Sequence, residues 1–230
     1  MFEQTAASHK ALLNIYDHYR QWAKGFDIAC EKGCATCCTQ SVTMTTLEGE
    51  LIYAFIRNDK PELLPVLNNL PENSSTPSTT TNRFALDCLR EKNIDKEDSP
   101  WNLSPCVFLR ENCCSIYPMR SFMCRSFGSR IKCQDSGSAE IEPLFLTLNT
   151  VIMQCIEHLD QGRPWGNMNT ILHMLTATEN NIPVPGNRPV LLAEPIPGFL
   201  IPPEEQKQLQ GQLKTLLNII RAAKGKKRTG

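Results

Sequence analysis

Eleven cysteines stand in a chain of 230 residues, and eight of them fall into two tight groups. Cys30, Cys34, Cys37 and Cys38 form the first; Cys106, Cys113, Cys114 and Cys124 form the second, with Cys133 just beyond. Thiols clustered in this way bind soft metal ions as thiolates or carry redox chemistry, and in a reducing compartment they do not settle into structural disulfides. The first group reads Cys30-Glu-Lys-Gly-Cys34-Ala-Thr-Cys37-Cys38. Short spacers let neighbouring sulfurs reach one tetrahedral ion through a tight turn. Gly33 eases that turn, and backbone N–H groups within it temper the thiolate charge. Cys37 and Cys38 are adjacent, and neighbouring side chains tend to point apart. The doublet therefore serves two ions, bridges within a cluster, or divides into one ligand and one buried or reactive thiol.

The second group is more widely spaced, with Val107, Phe108, Leu109, Ile116, Tyr117 and Phe122 between its thiols. Those residues read as packing that holds a loop. Arg110, Arg120, Arg125 and Lys132 surround the thiols. Four thiolates on one zinc ion leave a net charge of about −2, so nearby cations are useful. At least one of Arg120 and Arg125 is expected to pack against the cysteine loops; Arg110 and Lys132 read as surface charge. Cys88 and Cys155 fall in helical stretches and read as small buried apolar residues. His9, His18, His158 and His173 are isolated on helices and are not assigned as ligands. No phosphate-binding glycine loop, nucleophile elbow or paired-carboxylate pattern is present in the sequence.

Cys34-x-x-Cys37-Cys38, followed by Cys106-x-Phe-Leu, Cys114-Ser-Ile-Tyr-x-x-Arg and Cys124-Arg, resembles the CxxCxxCC family, the YkgJ-type cysteine-cluster proteins. The resemblance spans residues 30–133. It implies a zinc- or iron-chelating domain, with an iron–sulfur cluster as one form of the centre. It carries over Cys34, Cys37, Cys38, Cys106, Cys114 and Cys124 as ligands, with Cys30 and Cys133 next. The chain departs from the family pattern in the three-residue spacer before Cys34, in Ser121 after Arg120, and in the additional Cys113. Relatives that include a flagellin lysine methylase suggest an alternative to a storage, delivery, sensing or accessory role. That alternative is a metal- or iron–sulfur-dependent group-transfer enzyme. A third reading is an interaction module whose metal only staples loops.

The elements that must position these thiols are mainly helical. The periodicity predicts helices over residues 2–24, from Thr45 onward through a capping box with Glu48, near 62–70, over 83–92, 142–161, 164–179 and 204–223. Residues 41–44 read as a short extended piece, and the polar run 73–82 as a surface loop. Seven prolines between 183 and 203 predict a segment extended across the surface. The expected architecture is mainly α, with two cysteine-rich loops brought together. Residues 1–180 form the cysteine-cluster domain, and 181–230 form the Pro-rich segment and an amphipathic C-terminal helix. A protein partner, if one docks, would use that segment or that helix.

A formal net charge of zero supplies no global field to attract nucleic acid or an anionic membrane. The hydrophobic fraction of 41% and charged fraction of 21% are those of a globular protein. No stretch has the length and apolarity of a membrane span. The N-terminal residues lack the basic and apolar regions of an export signal. A cytoplasmic location is the expectation.

Overall fold

The computed structural model describes residues 2–31, 33–71, 77–92, 102–180 and 190–225. The chain is mainly α, 55% helical, with nine α-helices and little sheet among the described residues. Helix α1 (Phe2–Ala23) leads through the first cysteine loop to strand β1 (Thr43–Thr45) and helix α2 (Thr46–Asp59). A 3-10 turn (Pro61–Leu63), α3 (Leu64–Asn68) and α4 (Thr81–Leu89) follow. The second cysteine region holds a hairpin of β2 (Leu109–Arg110) and β3 (Cys113–Cys114), then α5 (Phe122–Ser126) and α6 (Cys133–Ser136). The chain continues through α7 (Pro143–Leu159), β4 (Pro164–Asn167), α8 (Met168–Glu179), β5 (Leu191–Leu192) and α9 (Gln206–Ala223).

Two apolar clusters hold these elements. The first joins one stripe each of α1, α7 and α9, through Leu12, Ile15, Leu148, Ile152, Leu209 and Leu216. The second lies under α2, α3 and α8 and includes Ile52, Leu67, Ile171, Phe108 and Ile116. Helix α2 bridges them, because Leu47 faces the first and Ile52 and Ile56 face the second. Each fully buried Leu, Ile or Phe contributes about 2 kcal/mol of burial. Residues 190–225 share the first cluster with the rest of the chain: α9 packs on α1 and α7, and Ile196, Phe199 and Ile201 lie against it.

The Thr45 cap has the form its sequence predicts. Its hydroxyl accepts from the Glu48 N–H at 3.2 Å, and the Glu48 carboxylate accepts from the Thr45 N–H at 3.0 Å. Three expectations change. Residues 164–167 are a strand rather than a helix start: they pair antiparallel with β1 (Met44↔Gly166) and β5 (Trp165↔Leu191). Asn167 is the better cap, since its side chain accepts from the Asn169 N–H at 2.9 Å and leaves the preceding residues free to pair. The polar run does not stay a loop to residue 82. Thr80 caps α4, and Asn82 is fully buried, donating to the Gln154 and Glu194 carbonyls at 3.1 and 2.8 Å; residues 73–76 of that run lie outside the described residues. The Pro-rich segment is not confined to the surface. Its described part, 190–203, buries Ala193 and lays Ile196, Phe199 and Ile201 on the first core, because proline keeps it extended while Gln154 and Glu157 hold its backbone. Residues 182–189 lie outside the described residues. No described helix is long and apolar enough to cross a membrane.

Candidate metal centre

Backbone hydrogen bonds bring the two cysteine groups together. The Cys106 N–H donates to the Cys38 carbonyl at 2.9 Å, and the Gln40 N–H donates to the Ser104 carbonyl at 3.0 Å, with a β-bridge between Thr39 and Pro105. This clasp is held from below, where the Asn167 amide donates to the Gln40 carbonyl at 2.8 Å. The hairpin then returns the chain. Glu111 and Asn112 both adopt positive φ, of 48° and 59°, as a two-residue hairpin turn requires. Leu109 thereby pairs with Cys114, and the Ser115 N–H donates to the Phe108 carbonyl at 2.8 Å. Phe108 and Ile116 anchor the hairpin in the second core, at 0% and 2% exposure.

Helix α5 delivers Cys124. The Phe122 N–H donates to Glu48 Oε1 at 2.7 Å, and the same carboxylate accepts from the Tyr16 hydroxyl at 2.9 Å. The Phe122 ring meets Tyr19 edge-on at 4.9 Å. Buried Glu48 thus joins α1, the start of α2 and the segment carrying Cys124.

These contacts place Cys38, Cys106, Cys114 and Cys124 as mutual electrostatic neighbours. Cys106, Cys114 and Cys124 are partly buried against the second core. Burial pushes the Cys106 thiol up to about 11 and the Cys124 thiol up to about 12, with neighbouring thiols adding to the rise. Backbone N–H groups act in the opposite direction: Phe108 toward the Cys106 sulfur, and Ile116 toward Cys114. Cys38 is held down to about 7, first by a hydrogen bond from the Cys37 thiol and then by the Arg120 guanidinium, against burial. Cys37 is raised, first by that same hydrogen bond. The doublet therefore divides its roles, with Cys38 turned toward the second cysteine group.

Arg120 lies flat on Tyr117, with its guanidinium carbon 3.6 Å from the ring centroid. Its Nε and Nη1 are buried and have no hydrogen-bond acceptor among the described residues. Its charge stabilises the Cys38 and Cys114 thiolates. Arg125 has different contacts. It stacks over Tyr16 at 4.2 Å and donates to the Arg120 and Pro118 carbonyls at 2.9 and 2.6 Å. Arg110 donates to the Val107 and Leu109 carbonyls at the hairpin's outer edge, and Lys132 pairs with Glu31 at 2.9 Å.

Cys30, Cys34 and Cys133 are placed apart from the other four. They line a cleft of about 210 Å³ between residues 29–31, 33 and 34 on one side and 131–134 on the other. Burial raises the Cys30 thiol, Ser129 lowers it, and Cys34 and Cys133 raise it further. Cys37 stands between the two sets, sensing both Cys30 and Cys124. Cys113 is exposed, Cys155 is fully buried as expected, and Cys88 is only partly buried on α4. His9 pairs with Glu50 at 2.9 Å, and His158 accepts from the Ile196 N–H at 3.2 Å, both away from the thiols. Among the described residues, no three Cys, His, Asp or Glu side chains already converge on a single point with metal-bonding geometry. The loops bring the thiols into one region; an ion would have to draw the sulfurs inward.

Sequence reasoning found the thiols but not their division, nor the reach of Glu48 to Phe122. The capping box signalled Glu48 only as a local feature. The comparisons give no match, whether with protein-family models, with curated proteins or with solved structures.

Proposed function

We propose that this chain is a metal-binding cysteine-cluster protein. Its principal centre uses Cys38, Cys106, Cys114 and Cys124 to hold zinc or iron, the latter as an ion or as an iron–sulfur cluster. The observation that carries this reading is the part-buried Arg120 guanidinium: its Nε and Nη1 are buried, have no hydrogen-bond acceptor among the described residues, and lie beside the Cys38 and Cys114 thiols. A buried N–H without an acceptor is costly, and thiolate charge next to it supplies what is missing. The donor set fits a soft metal: four sulfurs, backbone N–H groups directed at two of them, and apolar packing behind. When bound, the metal supplies a fixed point that ties the hairpin, α5 and the first cysteine loop together. The resemblance to the CxxCxxCC family points the same way and rests on the motif residues alone.

The role that fits best is accessory: holding, delivering or sensing metal. Cys106, Cys114 and Cys124 of the principal centre are backed by the second core, as suits thiols that hold an ion in place. Anaerobic purification followed by metal analysis tests the reading. The wild type is expected to carry zinc or iron, and Cys106→Ser to lose metal and thermal stability together, since metal binding is coupled to folding. Metal-free wild type from anaerobic cells grown with both metals would overturn it.

A further inference from the structure

We infer that Cys30, Cys34 and Cys133 form a second and separate site for a thiophilic metal ion, one that keeps a coordination position open to an exogenous ligand. The inference rests on the metal-binding reading above and divides the cysteines it invokes. The first ground is location. All three thiols line the 210 Å³ cleft, and none of Cys38, Cys106, Cys114 or Cys124 does. The second is environment. Cys106, Cys114 and Cys124 of the principal four pack against the second core with Phe108 and Ile116, whereas Cys30, Cys34 and Cys133 belong to neither apolar cluster, and Cys30 is exposed. The third is mechanical. The two walls are joined at both levels, by the Ala29 N–H donating to the Ser129 carbonyl at 2.8 Å and by the Lys132–Glu31 pair at 2.9 Å. Gly33, at φ 93° with nothing near a would-be side chain, gives the inner strip freedom to shift its thiols.

Three thiolates on a divalent ion leave a net charge of about −1 and one unfilled tetrahedral position. Lys132 at the rim is paired with Glu31, so the two add no net charge beside the ion. The cleft exceeds the ~30 Å³ that one water occupies in the liquid, so it accommodates an ion together with water or a small thiol. The four-thiol centre, by contrast, completes its own coordination. The geometry therefore separates a slow, structural ion from a fast, exchangeable one, which is the arrangement a metal-handling protein needs for uptake or release. Glu31 is kept from the fourth position by its pairing with Lys132.

Zinc titration of the reduced full-length chain, under anaerobic conditions and against a chromophoric chelator, tests this. The wild type should bind two equivalents, one released to chelator at least tenfold faster than the other. Cys34→Ser and Cys133→Ser should each lose the fast equivalent and keep the slow one. Alkylation mapped by mass spectrometry on the unmutated protein gives an independent reading. The second equivalent of zinc should protect Cys30, Cys34 and Cys133 after the principal thiols are already protected. A single equivalent that survives in Cys133→Ser, or protection of all seven thiols in one step, overturns the second site while leaving the first intact. No zinc bound by the wild type overturns both.

Discussion

Arg120 and Arg125 lie on one short segment and act on different atoms. Arg120 faces sulfur: its charge is directed at Cys38 and Cys114, and two of its N–H groups have no hydrogen-bond acceptor among the described residues. Arg125 faces backbone: it ties the Pro118 and Arg120 carbonyls and stacks on Tyr16. Arg120→Ala should release metal to a chelator about tenfold faster, the usual scale for loss of an outer partner, with little change in unfolding free energy once metal is removed. Arg125→Ala should do the reverse, destabilising the metal-free chain by about 2 kcal/mol through lost bonds to the Arg120 and Pro118 carbonyls and lost stacking on Tyr16. Arg221→Ala, on exposed α9 surface, is the control for both. Arg83 is unsuitable as a control because it pairs with Glu194 at 2.8 Å. Cys88→Ser should leave metal content unchanged; loss equal to that in Cys106→Ser would contradict the assignment of ligands.

At the scale of elements, Glu48 is the joint between the helical scaffold and the thiols. Its carboxylate accepts four hydrogen bonds: from the Thr45 N–H, the Thr45 and Tyr16 hydroxyls, and the Phe122 N–H. Glu48→Ala strands these donors in a buried site and should cost about 3 kcal/mol. Urea unfolding measures that cost, and chelator competition should show faster metal loss, since α5 loses its anchor. Unchanged metal release would mean that Cys124 is positioned without it. The capping box was legible because Thr45 and Glu48 are three residues apart and their bond is local. The bond from Glu48 to Phe122 crosses 74 residues, and no local pattern encodes it. The same divide explains the other elements. The stripes of α1, α7 and α9 follow from helical periodicity, whereas residues 164–167 became a strand through pairing with β1, and Asn82 entered the core through partners on α7 and near Glu194. The cysteine types and the short spacing of the first group announced the chemistry. Their separation into two sets depends on the clasp at 38–40 and 104–106 and on the 129–133 return, contacts between segments far apart in sequence.

At the scale of the whole molecule, α2 carries the load between the two cores, and its N-terminus is held by buried carboxylates as well as by Thr45. Asp160 accepts from the Leu47 N–H at 2.9 Å and pairs with Arg163 at 3.2 Å, yet burial pushes its carboxyl up to about 7. A carboxyl raised on folding holds its proton longer in the native state, so the stability it contributes is present at low pH and is lost as pH rises from about 4 through 7. Comparing wild type with Asp160→Asn isolates this group. The variant should gain on the wild type as pH rises from 5 to 6.5, at a rate approaching about 1.4 kcal/mol per pH unit; a gap that moves the other way would show that the Arg163 pairing outweighs burial. The two cores explain why the thiols need not create the fold: α1, α7 and α9 are packed without them, and the proposal gives a bound metal the task of fixing the loops that the second core carries. That central claim is tested most directly by X-ray absorption at the metal edge of anaerobically purified protein, wild type beside a Cys38→Ser/Cys106→Ser variant. The account predicts a first shell of sulfur in the wild type, at about 2.3 Å if the metal is zinc, and in the variant a fall in bound metal, with any sulfur that remains coming from Cys30, Cys34 and Cys133. A wild-type shell of oxygen and nitrogen, or a metal content and sulfur shell both unchanged in the variant, would contradict it.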